Sequence, residues 1–172
     1  MKEKKQEIFE ILNGLVLDLV SATRAYDFLL DSPLEKRFIP EVKTGIFRMT
    51  FSHIALTLFK FIEFYDKYSQ NIPSSKKDIC KELKKSIEEK GIRQFRNQCV
   101  GHIWDRDNQR PLTLEEQQKR TNAIIGNDWE TFSVWINNPK GNSPNTVVGI
   151  LEDLRTDFEF KINPGDTGHC ST

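Results

Sequence analysis

The chain has 172 residues, 37% hydrophobic and 29% charged, which is typical of one soluble globular domain rather than a disordered or membrane protein. Its 25 basic and 25 acidic residues give a net charge of zero, so any nucleic-acid surface must be a local patch. Three cysteines are too few for a disulfide framework and indicate a reducing compartment. The N-terminus has no apolar targeting segment, and charges interrupt the most apolar stretch, so we expect a cytoplasmic protein without a membrane span: Arg48, His53, Lys60 and Glu63.

Two long helices are predicted in the first half of the chain. The first ends at Asp31-Ser32-Pro33, because the residue before proline is pushed out of the helical region. Its apolar stripe has alternating spacings of four and three: Ile8, Leu12, Leu15, Leu19, Ala22, Tyr26 and Leu29. The second begins near Pro40, and a second apolar row that includes Met49 widens its buried face, which predicts a central position. Its stripe has the same spacing: Phe47, Phe51, Ile54, Leu58, Phe61, Tyr65 and Tyr68.

Shorter helices are predicted to follow. Ser75 and Asp78 resemble a capping box that opens a third helix, and Gly91 is a typical residue just past its end. A fourth helix is predicted from Ile92 to about Trp104. Residues 105–110 then form a charged loop that Pro111 closes.

The last part of the domain contains two further helix starts. Thr113 and Glu116 form a capping box for a fifth helix, which Gly126 ends. Residues 128–138 suit a short helix or a strand equally well. Ser143-Pro144 is a typical start for a last helix, whose predicted buried residues are Val147, Leu151, Leu154 and Phe158.

These patterns predict an all-α fold, a helical bundle with two long antiparallel helices and several shorter ones. Residues 1–161 form a single domain, and residues 162–172, rich in glycine and proline, form a flexible C-terminal tail.

The stretch most informative about chemistry runs from Phe95 to His102. On a regular α-helix, Arg96 and His102 lie ~120° apart around the axis and ~9 Å apart along it. They therefore cannot meet as residues one turn apart do, and either a bend at Gly101 or a second copy of the helix is needed. The two residues flank an apolar face: Ile92, Phe95, Cys99 and Ile103.

The run Arg96-Asn97-x-x-x-x-His102 resembles the signature of HEPN domains, helical bundles that carry this motif on a late helix after two long ones. The helical layout extends the resemblance over residues 1–161, and the chain looks most like the abortive-infection branch. The resemblance implies a metal-independent endoribonuclease without a cofactor, acting as a toxin or phage-defence effector. It also implies a homodimer whose motif helices face each other, and an antitoxin partner of the nucleotidyltransferase type.

Within that resemblance each motif residue has a chemical role. His102 would act as base or acid, because imidazole titrates near neutrality. Arg96 is permanently charged and suits the scissile phosphate of RNA. Asn97 would orient the histidine or hold a phosphate oxygen. Residues 76–96 carry an excess of four positive charges for the phosphate backbone, and the candidate RNA-binding residues are Lys84, Lys85 and Arg93.

Other interpretations of these residues stay open. The lysine-rich third helix is also explained as a solvated face. Cys99-x-x-His102 has the spacing of half a metal site, but no matching second half exists, so we predict no metal. His53 lies among apolar residues and is expected to be a packed core histidine. The alternative function is a non-catalytic helical module that binds RNA, nucleotide or a partner protein.

Overall fold

Helices account for nearly all the regular structure of the chain. The computed structural model describes residues 2–31, 40–100, 104–105, 110–126, 128–138, 141 and 144–159. Within these ranges the fold is the all-α bundle that the sequence predicts, with one antiparallel pair of two-residue strands. The elements are α1 (Lys2–Asp31), α2 (Pro40–Tyr68), α3 (Ser74–Glu89), α4 (Ile92–Phe95), β1 (Trp104–Asp105), β2 (Arg110–Pro111), α5 (Leu114–Ile125), α6 (Trp129–Ile136) and α7 (Val147–Thr156).

The two long helices, α1 and α2, pack against each other in antiparallel directions. Near the start of α1, Glu7 accepts a hydrogen bond from the hydroxyl of Tyr68, at the end of α2. Near the other end of α1, the ring of Tyr26 lies 5.2 Å from that of Phe47. Low residue numbers on α1 therefore meet high numbers on α2, as predicted for two long antiparallel helices.

The core lies where the predicted stripes meet. The inward residues of α1 from Ile8 to Ala22 are buried, and α2 contacts α1, α3 and α4 from its central position. On α2, Phe51 joins an aromatic cluster with Phe95 and Phe132. The predicted second apolar row is wrong at Met49, which is 76% exposed, so none of the described elements covers its side of the helix.

One described stretch, residues 40–71, is long and apolar enough to cross a membrane by length and composition. The core helix of a soluble bundle has the same properties, and Phe51, Ile54 and Leu58 are fully buried against other parts of the chain. The cytoplasmic location stays a prediction.

Several predicted helix boundaries are confirmed. Thr113 and Glu116 form the reciprocal capping box of α5, and Gly126 follows its last turn with a φ of 83°. Residues 129–136 are helical, because the Asp128 carboxylate caps α6 by accepting a hydrogen bond from the Thr131 backbone at 2.7 Å. Gly91, with a φ of 76°, follows the end of α3.

Two predicted helix starts are wrong. The third helix begins at Ser74, directly after Pro73, and no side chain caps it, so Ser75 lies inside its first turn and forms no capping box. The last helix begins at Val147 rather than at Pro144. Its cap is Thr146, whose hydroxyl accepts a hydrogen bond from the Gly149 backbone at 3.0 Å. Ser143 and the predicted tail, residues 162–172, lie outside the described residues.

The predicted fourth helix differs most from the structure. Regular α-helix ends at Phe95, and Arg96–Val100 form a single π-helical turn, called the motif turn below. Trp104 does not end a helix but pairs with Pro111 in the β1–β2 hairpin, and Asp105 pairs with Arg110. The ends of the predicted loop are thus a strand pair, and residues 106–109 lie outside the described part of the chain.

Candidate functional site

The motif turn is anchored on its N-terminal side by Gly91 and α4. Gly91 adopts the left-handed conformation that ends α3 and lets the chain turn at once into α4. Ile92 and Phe95 are buried in the core and hold α4 in place. The π-helical turn that follows inserts an extra residue into the helical repeat, a feature found frequently at functional sites.

Arg96 and Asn97 form a connected pair on this turn. Nη1 of Arg96 donates a hydrogen bond to Oδ1 of Asn97 at 3.0 Å, and the Arg96 guanidinium lies 5.1 Å from the ring centroid of Phe59. No carboxylate of the described residues lies within ion-pair distance of Arg96. Its charge is therefore positioned by a ring and an amide and is not neutralised by any acidic group in the described ranges.

The third motif residue, His102, lies outside the described residues, as do Gly101 and Ile103. The angular separation of Arg96 and His102 was predicted for a regular α-helix and does not apply, because the backbone is π-helical from Arg96 to Val100. The relation of the imidazole to Arg96 stays a prediction.

The three predicted RNA-binding residues lie on α3 and α4, and all form ion pairs. Nζ of Lys84 lies 2.6 Å from Oδ1 of Asp66, and this hydrogen bond is the main cause of a raised Lys84 pKa. Arg93 approaches the same Asp66 at 3.9 Å and Glu88 at 3.4 Å. The more exposed Lys85 lies 3.8 Å from a Glu89 carboxylate oxygen. Acidic residues thus reduce the positive charge that the sequence predicts for this surface, and Asp66 comes from outside the segment.

The alternative residues for metal or thiol chemistry are dispersed. Among the described residues, no group of three His, Cys, Asp or Glu side chains is placed to hold a metal ion. Burial raises the pKa of Cys80 to about 11, which keeps this thiol protonated. The prediction for His53 is wrong: its side chain is exposed on the outer side of α2, 3.6 Å from Asp18 of α1.

A cleft beside the motif turn was not predicted. It has a volume of about 280 Å³ and lies between the first half of α2, the motif turn and the first turns of α5; we call it the α2–α5 cleft. Its walls come from three segments far apart in sequence, so no local pattern reveals it. The side chains that line it include Arg48, Phe51, Ser52, Phe95, Cys99, Leu114, Glu115 and Thr121.

Comparison with known proteins finds a solved structure of similar fold. No protein-family model and no curated protein matches the chain. The chain is similar to a solved structure, the integron cassette protein Vpc_cass2 from the mobile metagenome of V. paracholerae, with 27% identity and a TM-score of 0.74. The similarity covers 92% of this chain and 97% of that one. The fold of this chain is therefore similar to that of the cassette protein over nearly the whole of both chains.

Proposed function

We propose that the protein is a metal-independent endoribonuclease of the HEPN type, a toxin or phage-defence effector in the cytoplasm. The observation that carries the proposal is the positioned and unneutralised charge of Arg96. Its guanidinium is fixed by Phe59 and Asn97, and no described carboxylate neutralises it. A positioned cation of this kind suits a phosphate group that gains charge during reaction.

The proposed chemistry uses only the motif residues. The ribose 2′-oxygen attacks the adjacent phosphorus, and its proton passes to a base, for which His102 is the candidate. The bond from phosphorus to the 5′-oxygen breaks, and that oxygen takes a proton from an acid, for which the second His102 of a homodimer is available. Arg96 stabilises the charged phosphorane, and Asn97 fixes the guanidinium. The products are a 2′,3′-cyclic phosphate and a 5′-hydroxyl.

Cleavage of RNA in EDTA tests the proposal directly. We expect Arg96→Ala and His102→Ala each to lower the cleavage rate by about a hundredfold or more, because each removes a group that acts in the transition state. Arg24→Ala and His53→Ala are matched controls, since both side chains are exposed and distant from the motif in sequence. Cleavage that requires a divalent metal, or that survives both motif substitutions, contradicts the proposal.

A mixing experiment tests the dimeric site. A heterodimer of the wild type with His102→Ala retains only one of the two histidines that the proposed mechanism uses. If the site is shared between subunits, exchange of subunits with excess His102→Ala lowers the activity of a fixed amount of wild type, and sedimentation shows a dimer. A monomer at the assay concentration, or wild-type activity that is unchanged after exchange of subunits, contradicts the shared site.

A second candidate is a non-catalytic module that binds a partner protein, such as an antitoxin of the nucleotidyltransferase type. Two observations favour it. Lys84 and Arg93 are engaged by carboxylates, which weakens the case for an RNA surface. The long helices also expose large apolar side chains that suit a protein partner: Leu17, Phe28 and Met49. This candidate predicts no cleavage under any metal condition.

A further inference from the structure

The α2–α5 cleft combines an apolar floor with a polar rim. Phe51 and Phe95 lie in van der Waals reach of the space, with their rings edge to face at 5.0 Å, and Leu114 forms the opposite wall while 64% exposed. Arg48 on α2 and Glu115 on α5 also line the cleft. Concave sites of this composition are typical of small-molecule binding.

Three polar side chains that line the cleft, those of Arg48, Ser52 and Thr121, can bond to a ligand. Thr121 is only 6% exposed, yet its hydroxyl forms no hydrogen bond within the described part of the chain. The oxygen is not sealed from solvent, and the residue lines the cleft. Arg48 forms no ion pair with any described carboxylate, and Ser52 adds a second hydroxyl. Water can reach these groups in the free protein, and a ligand with matching polar groups can replace that water.

The charges and the size restrict the chemistry of that ligand. Arg48 favours one anionic group in the cleft, whereas the Glu115 carboxylate disfavours a second one. The volume of the cleft is about 280 Å³, close to the smallest volumes of small-molecule sites, which are about 300 Å³. A cleft of this size suits a ligand with a single ring. Hydroxyls at Ser52 and Thr121 suit a ring with a hydrogen-bonding edge.

We propose that the α2–α5 cleft binds a small aromatic monocarboxylate, with its ring on the floor formed by Phe51 and Phe95. The carboxylate pairs with Arg48, and the polar edge of the ring bonds to the hydroxyl of Thr121. Such a ligand contacts Cys99, which belongs to the motif turn. Binding therefore restrains the turn that also carries Arg96. This ligand site is inferred from the residues of the cleft alone, so it does not depend on the nuclease proposal.

Alkylation of Cys99 by iodoacetamide reports occupancy of the cleft. The experiment uses the Cys170→Ser variant, which lacks the cysteine near the C-terminus. Cys80 is buried and has a raised pKa, so it does not react with iodoacetamide in the folded protein. The probe is 4-hydroxybenzoate, and 4-hydroxybenzyl alcohol is the control that lacks the anion. We expect 4-hydroxybenzoate at about ten times its Kd to slow alkylation about tenfold, and the alcohol to have little effect.

Substitutions decide where the probe binds. Arg48→Gln abolishes the protection, Thr121→Val weakens it, and the exposed Arg24→Gln on α1 leaves it unchanged. Calorimetric titration of the wild type and Arg48→Gln with 4-hydroxybenzoate gives the same answer without the thiol. The proposal is overturned if 4-hydroxybenzoate neither binds nor protects at millimolar concentration, or if Arg48→Gln binds it equally well. Stronger protection by uridine monophosphate also overturns it, and identifies a nucleotide site instead.

Discussion

The guanidinium of Arg96 lies 5.1 Å from the ring centroid of Phe59, and that of Arg93 lies 5.6 Å from the same ring. Phe59 is 9% exposed, so its ring is a fixed support rather than a mobile surface group. Arg93 is also engaged by Glu88 and approaches Asp66. Of the two arginines on this ring, only Arg96 has no carboxylate neighbour among the described residues, and its charge is the one available to an external anion.

We expect Phe59→Leu to lower RNA cleavage about tenfold while the fold survives, because a cation–π contact contributes roughly 1 kcal/mol to the placement of Arg96. The loss should fall on kcat rather than on KM if the arginine acts mainly on the phosphorane. Phe59→Trp, which keeps an aromatic face, should restore most of the rate. A leucine variant with the kinetics of the wild type would show that the ring has no positioning role.

Gly91 links α3 to α4, which leads into the motif turn, and its φ of 76° is a conformation that disfavours side chains with a Cβ atom. Gly91→Ala should lower the free energy of unfolding by about 1 kcal/mol. Gly14 is the matched control: it lies inside α1, and an added Cβ meets nothing within 4 Å. Gly14→Ala should raise stability by up to about 1 kcal/mol. Urea unfolding measures both, and equal signs for the two substitutions would contradict the assigned geometry at Gly91.

Phe51 is the residue on which three helical segments meet. It is 1% exposed, and its ring lies 5.0 Å from that of Phe95 and 5.9 Å from that of Phe132. Phe51→Ala should cost about 3–5 kcal/mol in unfolding free energy, the usual range for a buried phenylalanine. The exposed Phe28→Ala should change stability by less than about 0.5 kcal/mol. A small effect at Phe51 would mean that this cluster is not the core.

The long helices could be predicted because the apolar spacing that indicates them extends over many residues. One wrongly predicted position, such as Met49, therefore does not change the predicted helix. Helix ends depend on one or two residues and are less secure. The capping box of Thr113 and Glu116 was predicted correctly because both hydrogen bonds are local. The predicted capping box at Ser75 is wrong because the third helix begins one residue earlier, directly after Pro73. The predicted start at Pro144 is wrong because Thr146 caps the last helix further along the chain.

The motif of the candidate site could be predicted from the sequence, but the contacts of its residues could not. The motif identifies Arg96 and Asn97 in the sequence, but their hydrogen bond to each other was not predicted, because adjacent side chains on a helix do not normally face each other. The support from Phe59, the ion pairs of Asp66 and the π-helical form of the motif turn depend on how α2 packs against α3 and α4. A count of charges along residues 76–96 includes none of the acidic groups that tertiary packing brings in. For this reason the sequence overstated the positive charge of the surface.

The cap of α5 should make stability fall in acid. Glu116 accepts two hydrogen bonds from the Arg110 guanidinium, at 2.6 and 2.9 Å, and a third from the Thr113 backbone, at 2.8 Å. The Arg110 side chain first, and then the Thr113 backbone, lower the pKa of Glu116 to about 2 from an ordinary value of 4.5. Because the folded pKa is the lower one, this contribution is complete above pH 4.5 and is lost as the pH falls toward 2.

Glu116→Gln should therefore be less stable than the wild type at neutral pH, and the difference should shrink between pH 4.5 and 2. Thr113→Ala, which removes the other half of the box, should cost about 1 kcal/mol at neutral pH. Glu82→Gln, on the exposed side of α3, is the control and should keep the acid dependence of the wild type. Urea midpoints measured across this pH range provide the check. Parallel curves for the wild type and Glu116→Gln would mean that the Arg110–Glu116 contact does not persist in solution.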